Sequence, residues 1–342
     1  MQGGKLPPDV LRSVVLGRIQ NRNPEVLVHA SLGEDSAVID FGDFVCALSV
    51  DPITGADEGA GWLAVHVSCN DVAANGTTPV GVLLSVLCPE AGYAERLEAI
   101  MTDAERAAGE LGIEILGGHT EVMPGLSKPI ITVTAVGKAP RDRLVTSGGA
   151  RPGDQLLLTK GAGIEGTAIL AYDYGDILAG RVPPGILERA RGFVSMISVV
   201  KEGILAATAG ATAMHDVTEG GVLGAVYEMA EASGTGVEVW ACSIPILEET
   251  RAICEALEAD PLSLISSGAM LIAAREGECL KEHLEAQGVR AEVIGRFTPG
   301  SQRVLITGNG PRTIAPPQGD ELWRVRARLD ALLASGSPGR AG

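Results

Sequence analysis

The apolar positions of the chain fall into two successive series of short runs and longer stripes. In the first series, β-rich runs at Glu25–His29, Ser36–Ile39 and Phe44–Val50, then at Val80–Leu87 and Ile130–Gly137, predict strands. Two helices interrupt them. The stretch from Gly61 to Asn75 is apolar on most sides, through Trp62, Leu63, Val65, Val67 and Val72, which predicts a buried helix ending at Gly76. The stretch from Tyr93 to Leu111 gathers Leu97, Ile100, Met101, Ala104, Ala108 and Leu111 on one face, with Glu95, Glu98, Asp103 and Arg106 opposite. That is the pattern of a surface helix.

The turn-rich string Ser147–Asp154, with Gly148, Gly149, Pro152 and Gly153, sets a domain boundary. Beyond it a second α/β series begins with a strand at Gln155–Thr159 and a helix over Gly163–Ala171. Next come a helical pair across Ile186–Gly210, a short strand at Ala211–Met214, a helix at Glu219–Ala232 and a strand at Val237–Ala241. Strands at Ala269–Ala273, Ala291–Arg296 and Arg303–Ile306 then alternate with helices. Residues 1–146 and 147–334 are therefore expected to form two α/β (α+β) domains, and the small, polar residues 335–342 a disordered tail.

Composition narrows the function. Hydrophobic residues make up 46% and charged residues 20%, which excludes disordered and fibrous classes. The 27 basic and 43 acidic residues leave a net charge of −16, a field that repels phosphate backbones and anionic lipid. Neither nucleic acid nor a membrane is expected as a partner. No apolar run reaches the roughly 18 residues of a spanning helix, and Met1 to Asp9 carries no signal-peptide core, so a cytoplasmic protein is expected. The six cysteines are scattered, with no C-x-x-C pair to start a zinc or redox site, and are expected mostly in the core.

Four strings can carry chemistry. In the first half Glu34-Asp35 precedes a strand, Asp51 follows one, and Asp71 lies in the last turn of the apolar helix, where burial and the macrodipole both oppose its charge. No Lys or Arg occurs between Arg22 and Arg96. A bound Mg²⁺, an oxygen-seeking cation, would resolve that imbalance. The alternative has Asp71 bonded to Asn70 or to backbone amides, and the other acids solvated in turns. Gly117-Gly118-His119-Thr120-Glu121 follows a short strand at Ile113–Leu116 and reads either as a phosphate cradle or as a tight turn capped by His119. The third string, Lys160-Gly161-Ala162-Gly163-Ile164-Glu165-Gly166, fits a phosphate-contacting loop with Lys160 supplying charge, a simple strand-to-helix turn, or more remotely a dinucleotide fingerprint. In the fourth, His215-Asp216-Val217-Thr218-Glu219-Gly220-Gly221, Asp216 and Glu219 have capping-box spacing, while His215 with Asp216 reads equally as an acid–base pair.

Taken in order, four strings resemble the superfamily of aminoimidazole ribonucleotide (AIR) synthase and the hydrogenase maturation factor HypE. They are Gly33-Glu34-Asp35-Ser36-Ala37-Val38-Ile39, Asn70-Asp71-Val72-Ala73-Ala74-Asn75-Gly76, Gly117-Gly118-His119-Thr120-Glu121, and His215 to Gly221. The likeness runs from about residue 10 to residue 310, with the second and fourth strings nearest the HypE branch. It implies an N-terminal half-barrel shared across a homodimer and a C-terminal α/β domain beside it. It also implies ATP with Mg²⁺, used to phosphorylate an amide- or carbamoyl-type oxygen. By position, Asp35, Asp51 and Asp71 would hold Mg²⁺ and triphosphate. Gly117, Gly118, His119, Thr120 and Lys160 would lie by the nucleotide, and His215 and Asp216 would face the reacting centre. A maturation protein is the implied partner.

The chain departs from HypE in two places. HypE factors end in a Pro-Arg-Ile-Cys type tail whose cysteine is carbamoylated and dehydrated, whereas this sequence ends Ser337-Pro338-Gly339-Arg340-Ala341-Gly342. Its last cysteine, Cys279, precedes Leu280 and Leu284 on a predicted helix and is expected to be held against the fold, so self-cyanation is not expected. Gly118-His119-Thr120-Glu121 also replaces the Gly-Asp-Thr-Lys pattern of HypE, in a form nearer AIR synthase. Two classes of function therefore stand, an ATP-dependent enzyme and a non-catalytic nucleotide-binding maturation partner. AIR synthase, thiamine-monophosphate kinase and Rossmann oxidoreductase activities are more distant readings.

Overall fold

The computed structural model describes residues 6, 8–53 and 59–334; the tail expected at residues 335–342 lies outside them. The first half supplies strands β1 (Val26–Val28), β2 (Ala37–Phe41) and β3 (Phe44–Ile53), helix α1 (Ala60–Ala74), β4 (Thr78–Cys88), α2 (Tyr93–Leu111), β5 (Glu114–Val122) and β6 (Ile130–Pro140). These strands form one six-stranded sheet in the order β1-β2-β3-β6-β4-β5. All its pairs are antiparallel except β4–β5, which α2 connects as a parallel crossover.

The second half contributes β7 (Gln155–Thr159), α3 (Ile164–Asp173), α4 (Val200–Thr208), β8 (Ala211–Val217), α5 (Gly221–Ser233), β9 (Gly236–Trp240) and α6 (Glu248–Ala256). After these come β10 (Ala269–Ala274), α7 (Gly277–Ala286), β11 (Ala291–Thr298), β12 (Arg303–Thr307), β13 (Gly310–Thr313) and α8 (Glu321–Ala334). Its seven strands form a second sheet, β13-β12-β9-β11-β7-β10-β8. No helix among the described residues is long and apolar enough to cross a membrane.

Helix α1 is where the halves meet. It packs on β3, β4, β6 and α2 on one side and on α4 and β8 on the other, and every residue in it except Leu63 is buried. A helix apolar all round has no other stable place. Its buried Asn70 spans the junction, with Nδ2 donating to the Ile197 carbonyl at 2.8 Å and Oδ1 accepting the Val199 amide at 2.8 Å. Residues 196–198 are gripped from the other side by Lys160, whose Nζ donates to the carbonyls of Met196 (2.9 Å), Ser198 (2.6 Å) and Gly268 (2.9 Å). The same Nζ lies 2.6 Å from the buried Glu202 carboxylate. Burial pushes the Lys160 ammonium pKa down, and Glu202 opposes that shift.

Several local readings of the sequence are corrected here. Lys160 is no phosphate ligand, because its three ammonium protons are matched by three carbonyls. The glycine loop after it is no cradle either: the amides of Ala162, Gly163 and Gly166 donate to Pro245 O, Ser266 Oγ and Ile265 O, all at 2.9 Å. β7 is also antiparallel to both its neighbours, which excludes a parallel dinucleotide-binding unit. β8 runs to Val217 and α5 starts only at Gly221, so Asp216 is a buried strand residue and caps no helix. Gly117–Glu121 is neither turn nor loop but the continuation of β5. Cys69, Cys88 and Cys254 are buried as expected, whereas Cys242 and Cys279 are exposed, Cys279 in the first turn of α7.

The Lys160–Glu202 pair generates a stability prediction. Lys160→Met should cost about 3–5 kcal/mol by stranding the Glu202 charge, whereas Lys160→Met with Glu202→Leu should recover much of it. Urea denaturation of the two variants checks this; equal stability would show that the ion pair does not hold the junction.

Candidate functional site

Four aspartates from four elements converge beside α1. Asp71 comes from the last turn of α1, Asp51 from the end of β3, Asp35 from the loop before β2 and Asp216 from β8. Asp71 is buried and accepts a short hydrogen bond from the Ser49 hydroxyl two residues before Asp51. Its carboxyl pKa is raised well above the usual carboxylate range, by burial first and then by the charges of Asp216, Asp51 and Asp35, with a hydrogen bond to Asp51 adding to the shift. Carboxyls packed this way keep a proton or take a cation.

An imidazole 180 residues from Asp35 in the sequence is bonded to this cluster. His215 Nδ1 lies 2.6 and 2.8 Å from the two carboxylate oxygens of Asp35, and Nε2 lies 3.1 Å from Glu228 Oε2 on α5. Burial pulls the imidazole pKa down, but Asp35 and Glu228 outweigh it and hold the pKa well above its ordinary value. A carboxylate on each nitrogen favours the imidazolium form, and the ring ties Asp35 to Glu228. This corrects its expected pairing with Asp216 as an acid–base couple. Close approach of the two halves depends on Gly33, at φ +80°, where a Cβ would come within 2.9 Å of the Glu228 carbonyl. Ser147 adds a hydroxyl donated to Asp35 at 3.4 Å and an amide donated to Glu34, also at 3.4 Å.

Asp35, His215 and Asp216 each offer an atom within 4.8 Å of the others, a spacing that suits a metal ion. The Asp51 and Asp71 carboxylates lie close enough to act on one another, and with Asp35 and Asp216 they are the oxygen donors gathered here. An all-oxygen set of this kind matches Mg²⁺.

His119 and Thr120 sit elsewhere in the subunit. Across the sheet Asp51 pairs with Val133, Val133 with Leu84 and Leu84 with Gly118, which puts the glycine pair three strands, about 14 Å, from Asp51. At Gly118 any Cβ would overlap the Leu84 carbonyl at 1.8 Å, so this glycine is required for β5 to pair at all. His119 is exposed there, 3.5 Å from Glu121. Glu228, Ser49 and Ser147 went unread in the sequence. A glutamate on the apolar face that Ala225, Val226 and Met229 give α5 was the available signal for Glu228.

Comparison with known proteins agrees with this fold. The family model described as AIR synthase related protein, N-terminal domain, matches residues 33–139, and the model of the C-terminal domain matches residues 151–307. A putative hydrogenase expression/formation protein of Methanocaldococcus jannaschii is 30% identical over 341 residues, covering 94% of this chain and 97% of its own. The carbamoyl dehydratase HypE of Azotobacter vinelandii is 31% identical over 275 residues, 78% of each chain. A thiamine-monophosphate kinase of Halobacterium salinarum is 30% identical over 289 residues, 81% of this chain and 91% of its own. A crystal structure of a hydrogenase maturation protein HypE in complex with ATP shares the fold, with a TM-score of 0.68 and 24% identity over 92% of this chain and 96% of its own.

The raised Asp71 pKa fixes the sign of a pH effect. A carboxyl whose folded pKa exceeds its unfolded value contributes stability below the ordinary range, near pH 4, and loses it as pH rises through the raised value. In chelator, wild-type protein should therefore lose stability toward alkaline pH relative to Asp71→Asn. Paired thermal melts across pH check this, and parallel curves would contradict it.

Proposed function

The chain belongs to the AIR synthase related family, and from that premise we propose that it is an ATP- and Mg²⁺-dependent enzyme. In this reading it phosphorylates an amide- or carbamoyl-type oxygen so that water can be removed, in the manner of HypE. The observation that carries it is the charge imbalance at the junction. Asp35, Asp51, Asp71 and Asp216 converge there, and the His215 imidazole is already held between Asp35 and Glu228. The similarity to a carbamoyl dehydratase and to a kinase supports phosphoryl transfer at such a cluster.

Each group then has a distinct part. Asp35, Asp51 and Asp71 hold Mg²⁺, which when bound neutralises the triphosphate and the charge that develops on phosphoryl transfer. His215 holds the Asp35 carboxylate in place. The acceptor oxygen attacks the γ-phosphorus and ADP leaves; loss of both N–H protons of the amide-type group, with cleavage of its C–O bond, then releases phosphate and completes the dehydration to the nitrile. Asp216, buried beside the cluster, is the carboxylate assigned to take one of those protons.

A homodimer is part of the proposal. β5 is an edge strand, and the sheet face away from α1 exposes Val50 (60%), Val80 (49%) and Leu83 (40%), with Leu116 (47%) on β5 itself. An apolar face beside an unpaired edge calls for a covering partner, and a second copy closing the barrel supplies one. Closure also gives His119 and Thr120, remote from Asp51 in their own chain, a route to the nucleotide of the other subunit.

Calorimetry should find ATP binding with Mg²⁺ and its loss in chelator; equal affinity in both would remove the metal bridge. Phosphate release without any added partner would separate an enzyme from a binding-only maturation factor. Sedimentation should give twice the 35.2 kDa chain mass. Leu83→Glu with Val50→Glu should yield monomer, and a wild-type monomer would refute the closed barrel.

A further inference from the structure

A cleft of about 350 Å³ opens beside Asp35 and His215, on the side of the second domain. Its walls combine two kinds of surface. Leu11 and Leu32 from the N-terminal segments and Pro317 from the other side make an apolar portion. Glu34, Glu219 and Glu228 make an acidic one, and no lysine or arginine lines the cleft among the described residues. Arg12, one residue from Leu11, is drawn away into an ion pair with Glu231, which Arg303 also engages. His215, which also lines the cleft, is held between Asp35 and Glu228.

Resting on the phosphoryl-transfer reading above, we propose that this cleft receives the acceptor and selects it by charge. The portion that enters is neutral or cationic and carries a short apolar group, and an acceptor that would place a phosphate or carboxylate there is excluded. The reasoning is electrostatic. An anion in the cleft would face several carboxylates with no Lys or Arg to answer it, whereas an amide nitrogen or an ammonium finds acceptors on every acidic wall. Within a family that includes a thiamine-monophosphate kinase, such a wall is a means of telling acceptors apart.

The test uses three probes on one alkyl scaffold: butylammonium, pentanamide and butyl phosphate. Each is titrated into the full-length protein saturated with Mg²⁺ and a non-hydrolysable ATP analogue, while the methyl resonances of Leu11 and Leu32 are followed by NMR. The ammonium and the amide should shift these methyls at concentrations about tenfold below the phosphate. Glu219→Lys should reverse that order. A phosphate that binds as tightly as the amide would overturn the proposal, as would methyls unmoved by all three probes or an order unchanged in Glu219→Lys. Nucleotide binding is measured on the same sample by calorimetry, and the titration is repeated without nucleotide. Absence of ATP binding would therefore defeat the phosphoryl-transfer reading without obscuring the charge order.

Discussion

Everything at the junction answers to one constraint: too much negative charge gathered around a buried helix end. Asp71 sits in the last turn of α1, where the helix dipole disfavours an anion, and three further aspartates crowd it. Desolvation alone would expel such a group or keep it protonated. The fold retains it by bringing in one imidazole from the second domain, bonded to Asp35, and by the hydrogen bond that Ser49 donates to Asp71. Burial of the helix, the tight glycine contact at Gly33 and the placement of Glu228 on α5 all serve that arrangement.

The two domains are consequently locked at a single seam. Asn70, next to Asp71, spans from α1 to the 197–199 backbone, and Lys160 fixes the same segment from behind. A shift of that segment would move Asp71 relative to Asp216, because one belongs to each domain. Lys160 and Asn70 hold the backbone at residues 196–199, and through it they determine how the halves of the aspartate cluster meet. Fully satisfied buried polar groups of this sort specify one arrangement over near alternatives.

Much of this was legible in the sequence, and the failures have a common cause. Helix α1, helix α2 and most strand cores follow local periodicity, which is a property of neighbouring residues. Asp71 stood out because a charge in an apolar helix is conspicuous without any knowledge of the fold. The partner of Asp35 was not readable, because His215 lies 180 positions away and only the packing of β8 beside the loop at Gly33 joins them. Lys160 was misread for a related reason: a glycine-rich loop after a strand resembles a phosphate cradle until its amides are seen bonded to residues 245–266. The extension of β5 through Gly117 and Gly118 defied strand propensity, since pairing with β4 demands glycine where propensity argues against it.

The double coverage of α1 also bears on the order in which the protein is made. Its near side is covered by residues up to Pro140, but its far side waits for α4, which ends at Thr208. During synthesis the first sheet is complete while α1 still presents bare apolar surface and an unbonded Asn70 amide. The nascent chain thus passes through a stage in which a finished domain remains adhesive along one helix. Protection in that interval rests on the speed with which the next seventy or so residues arrive, or on a chaperone that masks the helix meanwhile. The seam that organises the mature site is, for a growing chain, its period of greatest exposure.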